Sequence, residues 1–559
     1  MTPHNWPIRR FVTFTAAAMI IVSLSAFAAR KAGQNQTVAS PQDVLTYHGD
    51  SLRTGWFSSE TQLTAANINS QTFGLLQTVT LDAKADAEPL VVLQQAIRGQ
   101  GTHDVVYLPT ANNSVYALDA ESGATLWQVN LGPAVAVRNG GAKGPPSEGV
   151  MSTPVIDLTM GAIFVVADVI NGSSNTFTLH ALSLNNGADL LTPTAITFSE
   201  AIQNGGTWVF DPAVHLNRPA LLEANGNIYV AFGSTGDVDP ADSRGFILSF
   251  NAATLQQIAG QLIDLRNGLN PPFYLSSIWQ SGYGPAADAT GDVFFSTGNS
   301  DNTRPSYSAL YNHPESIIHM SAALQLLDSF TPFNYFSLDE RDGEVGSGGT
   351  LVLPDQPGTF PHLVIAGGKD GRAFLMNRDN LGGYTKGGPD MVLQVINQGP
   401  CWCGPAYFVG SNGTPYVVTG GRSGVTNWQL QTTSPYLVQQ STTGPTVVAG
   451  LPDQGGTMPV ISSNGTTSGS AVVWFIQRPS TSSIMNPGTP VTLWAYSGAD
   501  LTTPLFSAQA GTWLNANHSN AELVPTVSNG RVYIASNKQL QIFGLLGSRK
   551  GAQWNSGGK

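Results

Sequence analysis

The side chains of this chain that could do chemistry recur in short Gly- and Pro-rich segments and are not gathered in one motif. Glu88 precedes Pro89-Leu90, Glu148 and Met151 flank Gly149-Val150, His215 and Arg218 surround Leu216-Asn217, and Trp279 and Gln280 precede Ser281-Gly282. Glu344, Cys401, Trp402, Cys403, Gln454, His518 and Asn520 occupy the same kind of segment further on. Carboxylates and imidazoles move protons and a guanidinium holds anions, so the set acts together only if the segments meet in space. Taken singly, each of these residues also serves simply to complete a turn. No G-x-S-x-G, H-E-x-x-H or phosphate-binding loop supports a hydrolase or nucleotide enzyme. Cys401 and Cys403 are the two cysteines of the chain. With no third cysteine or neighbouring histidine they argue against zinc, and the absence of C-x-x-C-H excludes covalently attached c-type haem. They either bridge each other through a small ring or stay apart.

What would bring the segments together is the period at which they recur, roughly 53 to 68 residues, long enough for one four-stranded sheet each. Each leads into a β-run, at residues 162–167, 227–232, 292–297, 363–367, 414–419, 471–477 and 531–536, rich in β-branched and aromatic residues. Residues 105–132 carry the clearest unit: two apolar runs around the turn residues Asn112-Asn113, then a third run after Asp119-Ala120-Glu121-Ser122-Gly123. Such repetition marks a propeller or solenoid, and about eight units are counted. The last unit ends at Leu540-Gln541-Ile542-Phe543 without a fourth strand. Residues 75–81 are therefore expected to pair there and close the ring, since both would otherwise be open sheet edges.

The spacing Ala117, Asp119, Gly123, Trp127 resembles the tryptophan-docking motif of the pyrroloquinoline quinone (PQQ) repeat, found in quinoprotein alcohol dehydrogenase-like β-propellers. Tyr47-His48-Gly49-Asp50 with Arg53 is similar to the N-terminal strap of those proteins. The resemblance implies an all-β, eight-bladed propeller with Trp127 buried between blades. It also implies a site at one mouth: Asn299 as a calcium ligand, Trp279 as the floor under the quinone, Lys369 reaching the quinone oxygens, and Glu344 in place of the catalytic Asp. The calcium-binding Glu falls where only the shorter Asp237 or Asp239 is available. A carboxylate one methylene longer or shorter shifts its oxygens beyond what a positioned base or a calcium shell accepts. The adjacent-cysteine bridge that covers the quinone should follow Trp127 closely, and residues 131–149 contain no Cys. Cys401 and Cys403, several blades away, are not expected to replace it.

Charged residues make up only 11% of the chain, beside 61 Gly and 35 Pro, a composition that suits short strands and frequent turns. The net charge of −11 argues against nucleic acid as a partner. Arg9-Arg10, an apolar run from Phe11 and Ala26-Phe27-Ala28 read as a signal peptide over residues 1–28, with an uncleaved membrane anchor as the alternative. Residues 29–44 then form a linker, 45–547 the propeller and 548–559 a disordered tail. Two functions fit. In the first, a secreted or periplasmic propeller binds a protein or small-molecule ligand at the channel mouth without catalysis and without a membrane after cleavage. In the second, PQQ and calcium support a dehydrogenase with a divergent site.

Overall fold

The computed structural model describes residues 40–136, 147–235, 243–267, 274–443, 456–477, 489–513 and 523–547. Eight antiparallel sheets follow one another along the chain, which therefore forms an eight-bladed β-propeller. Their first strands are Leu90–Ile97, Val155–Asp157, Leu222–Ala224, Ala286–Ala287, Thr350–Val352, Ala406–Val409, Val460–Ser462 and Thr526–Ser528. Each follows one of the recurring segments, as the period predicts. Within a blade the strands pair in sequence order, as in the first: Leu90–Ile97, Gly101–Pro109, Ser114–Asp119 and Thr125–Asn130. Val105, Val106, Tyr107 and Leu108 are all buried, because a blade is covered on both faces by its neighbours and its central strands need no polar face. Apolar clusters accordingly span neighbouring blades, with Phe164 and Leu179 of the second packed against Phe232 and Leu248 of the third.

The ring closes as expected. Phe73–Thr80 runs antiparallel to Gln539–Leu545, with Leu75 opposite Phe543 and Thr80 opposite Gln539, and so completes the eighth blade from the other end of the chain.

A second closure lies at the centre, where the segment ahead of that strand meets the first strands of the blades. Val44 pairs with Val91 of the first blade, and the carbonyl of Leu45 accepts from the N–H of Ile156 in the second. The carbonyls of Ser51, Leu52, Thr54 and Gly55 accept from Ala287, Val352, Tyr407 and Ile461, in the fourth to seventh blades in turn. Arg53 supplies the remaining links while fully buried: its guanidinium donates to the carbonyls of Leu221 (2.9 Å), Pro285 (2.9 Å) and Tyr47 (3.0 Å) and to Thr46 Oγ1 (2.7 Å). Tyr283 donates back to the Arg53 carbonyl at 2.8 Å. The strap read from Tyr47 to Gly55 is thus a plug that satisfies the inner sheet edges.

Between blades the docking position is filled differently each time. Trp127, opposite Ala117, donates its indole N–H to the Leu184 carbonyl of the second blade at 3.0 Å, and its ring lies against Gly187. It is only partly buried, because it sits on the outermost strand, where one edge of the ring meets solvent. At the same place in the fourth blade Asp328 accepts from Leu381 N–H (2.7 Å), and in the fifth Gln394 exchanges two hydrogen bonds with the Leu437 backbone (2.8 and 2.9 Å). In the seventh blade Phe506 packs edge-on against Phe73.

Glu88 and His48 tie the plug to the ring. The Glu88 carboxylate accepts from His48 N–H (2.8 Å) and from Thr526 Oγ1 (3.2 Å), while its own N–H donates to Thr153 Oγ1 (2.9 Å). Burial pushes Glu88 from 4.5 up to about 8 and His48 from 6.5 down to about 3. Both are therefore held neutral, and their contributions to stability run in opposite directions with pH. That of Glu88 is complete below about 4.5 and lost as pH rises through 8, whereas that of His48 is complete above 6.5 and lost as pH falls toward 3. Glu88→Gln, which mimics the neutral acid, should leave stability near pH 5 little changed and remove the loss on going to pH 8.5. Denaturant unfolding at the two pH values measures this, and equal pH dependence in both proteins would place Glu88 in contact with water.

Candidate functional site

Trp279 lies in the segment between the third and fourth blades, where its indole rests on two glycines. A Cβ on Gly233 would fall 2.4 Å from the ring and one on Gly298 3.0 Å from it, so both positions must lack a side chain. The indole N–H donates to the Ser234 carbonyl at 3.2 Å. One residue past Gly298, Asn299 donates its amide Nδ2 to Asp342 Oδ1 at 2.8 Å, while its Oδ1 is buried without a hydrogen-bond partner. Asp342 ends the helix Tyr335–Arg341 in the left-handed region (φ 56°), which turns the chain sharply and brings Asp342 and Glu344 toward the same lysine.

That lysine is Lys369, on the turn between Leu363–Gly367 and Arg372–Asn377. Its Nζ stands 2.7 Å from Asp342 Oδ1 and 3.4 Å from Glu344 Oε2. Its backbone N–H donates to the Glu344 carbonyl (2.9 Å), with Ser347 Oγ a second acceptor at 3.2 Å. The Trp402 ring covers the ammonium, 5.2 Å from its centroid. Cys401 and Cys403 are bridged to each other. The Cys401 carbonyl lies 3.2 Å from Ser347 Oγ, and the Cys403 carbonyl accepts from Gly349 N–H at 2.9 Å. The pair thus lies beside Lys369, as its place in one of the recurring entry segments predicts.

Two further carboxyls stand behind these groups. Glu315 accepts from Val345 N–H at 2.6 Å and Asp339 from Ser300 N–H at 2.9 Å, which fixes the residues next to Glu344 and Asn299. Burial raises both above the usual carboxyl range, with the neighbouring carboxylates adding to the effect on Glu315.

Of the residues expected at the site, Trp279, Asn299, Glu344 and Lys369 meet. Asp237 and Asp239 fall in residues 236–242, outside the described residues, as do Gln454, His518 and Asn520. Glu88 belongs to the plug. The ring nitrogens of His215 bond the backbone of Asp211 (2.7 Å) and Arg244, a structural role within the third blade. Asp342 was missed, although its place two residues before Glu344 in a Gly-containing turn was open to view. It is also the more exposed of the two carboxylates, at 35% against 2%.

Among the described residues no three His, Cys, Asp or Glu side chains are grouped to hold a metal ion. Calcium takes roughly six to eight oxygens. Here Asn299 Oδ1, Gln280 Oε1, Glu315 Oε1 and Asp339 Oδ2 are buried without a hydrogen-bond partner, but burial favours the protonated form of the two acids and the ammonium of Lys369 lies against Asp342 and Glu344, so a calcium shell does not fit the described groups. Instead the one ammonium of Lys369 is shared between the two carboxylates.

Gln280, next to Trp279, is fully buried with φ 46°, and neither amide Oε1 nor Nε2 has a partner. The buried Trp402 indole N–H is unpartnered as well. An unsatisfied buried amide costs about 1–3 kcal/mol, so Gln280→Leu should raise stability by about 1 kcal/mol or more. Chemical denaturation checks this, and a loss of stability would mean that the amide is satisfied within the protein.

No protein-family model matches the sequence, and no curated protein matches it. Solved structures do resemble it. The quinohemoprotein alcohol dehydrogenase of Comamonas testosteroni superimposes with a TM-score of 0.57 at 16% identity, over 95% of this chain and 84% of that one. A europium-containing methanol dehydrogenase gives 0.57 at 12% identity, over 90% and 98%. The quinohemoprotein alcohol dehydrogenase ADHIIG of Pseudomonas putida HK5 gives 0.52 at 13%, over 91% and 81%. At these identities it is the architecture that is shared, and the chain carries the eight-bladed propeller fold of the quinoprotein alcohol and methanol dehydrogenases.

Proposed function

We propose that this chain is a secreted or periplasmic propeller that binds a protein or small-molecule ligand at the mouth of its ring and does not oxidise alcohols. The observation that carries this reading is the contact of Lys369 with both Asp342 and Glu344. A general base must be positioned to take a proton from substrate, whereas Glu344 is turned to an ammonium and almost completely buried. Binding remains well served. Beside the buried rings of Trp279 and Trp402, Gln280 and the Trp402 N–H are hydrogen-bonding groups that have no partner within the protein. Export rests on the charged, apolar and small-residue zones of residues 1–28. Among the described residues no helix is long and apolar enough to cross a membrane.

One observation favours the second reading, a PQQ- and calcium-dependent dehydrogenase: the unpartnered Asn299 Oδ1 is an oxygen of the kind that calcium takes. The two separate in one experiment. Purified protein incubated with PQQ and calcium should retain no stoichiometric quinone on gel filtration and should give no dye-linked oxidation of primary alcohols, sugars or aldehydes. Stoichiometric retention, with turnover abolished by Glu344→Gln, would establish the dehydrogenase.

A further inference from the structure

The docking position that Trp127 fills in the first blade is empty of a large side chain in the third. Trp127 stands opposite Ala117, and the residue at the same cross-strand place, opposite Ser249, is Ala259. The preceding turn is shared: Leu255 takes the positive φ (57°) that Gly123 takes in the first blade (73°), so the strand emerges in the same register with an alanine in place of an indole. Ala259 packs on a cluster that includes Ile263, Ile318 and Met320. Those three side chains also line a cleft of about 200 Å³ between the third and fourth blades.

The lining of this cleft is mostly apolar, with Leu262 and Leu265 beside the three, and no Asp, Glu, Lys or Arg takes part among the described residues. Leu310 and Leu326 form its rim, exposed at 73% and 39%. Its polar side chains are Gln261, Tyr311 and His313; Gln261 Nε2 donates to the Leu262 carbonyl, whereas His313 is buried, with 6% exposure, and its Nδ1 has no hydrogen-bond partner. Burial lowers its pKa to about 4, which keeps the imidazole neutral and able to accept a hydrogen bond at physiological pH. A dry apolar cavity of about 150 Å³ is already large enough to bind benzene.

We infer that this inter-blade cleft is a binding site for a small planar aromatic molecule of about indole size that carries one N–H or O–H donor, which His313 Nδ1 accepts. The ligand takes the role at this junction that Trp127 plays between the first two blades. The cleft is lined by none of the groups around Lys369, so the inference stands apart from the function proposed for that site.

The test uses indole as the probe on the whole protein, with 1-methylindole as the control lacking the donor. Saturation-transfer NMR and thermal unfolding should show indole bound and raising the thermal midpoint. 1-Methylindole should bind about fivefold more weakly, the ratio that a lost hydrogen bond of about 1 kcal/mol gives. Leu326→Trp, at a partly exposed position, should fill the cleft, abolish indole binding and keep or raise the midpoint. His313→Phe should bind the two probes equally. Absence of indole binding, or binding indifferent to Leu326→Trp, would overturn the site. Equal affinity for the two probes in the unaltered protein would overturn the assignment of His313.

Discussion

Each blade of this protein presents the edge of its first strand to the centre of the ring, and those unpaired N–H and C=O groups must be satisfied there. The strap does it. Carbonyls from Leu45 to Gly55 accept from one blade after another, and Arg53 reaches three further carbonyls with a fully buried guanidinium. The arrangement explains why the centre carries so many buried ionisable groups, among them the neutral Glu88, Arg53 and the Lys84–Asp86 pair. A buried charge that loses its partner costs several kcal/mol, so each pairing constrains the next. With Phe73–Thr80 closing the eighth blade, the ring is fastened at its centre and at its rim by neighbouring stretches of chain.

Most of this architecture was legible in the sequence because a propeller repeats one solution. The period of the entry segments gives the blades, and the missing last strand gives the closure. The Trp127 spacing gives the docking strand, but it does not say what replaces the indole elsewhere. Asp328 and Gln394 do so by bonding the backbone of the next blade, and nothing in their local sequence announces that role. The site was legible in part. Trp279, Asn299, Glu344 and Lys369 were found through resemblance and do meet. Asp342 was passed over because Glu344 looked like the substituted base, and helical ends were not expected to bring both carboxylates to one lysine.

The fold is shared with dehydrogenases, and the proposal that this chain binds without oxidising rests on how the groups around Lys369 are engaged. In the described groups, Asn299 directs its amide N–H to Asp342, and Lys369 bonds Asp342 and Glu344 under the ring of Trp402. A calcium ion that used these carboxylates would have to displace that ammonium from both of them. The most direct measurement is a titration with terbium, a calcium-like ion whose emission is excited through nearby tryptophan, here Trp279 and Trp402. The account predicts no saturable sensitised emission that depends on Asn299. A one-to-one titration curve that disappears in Asn299→Ala would contradict it.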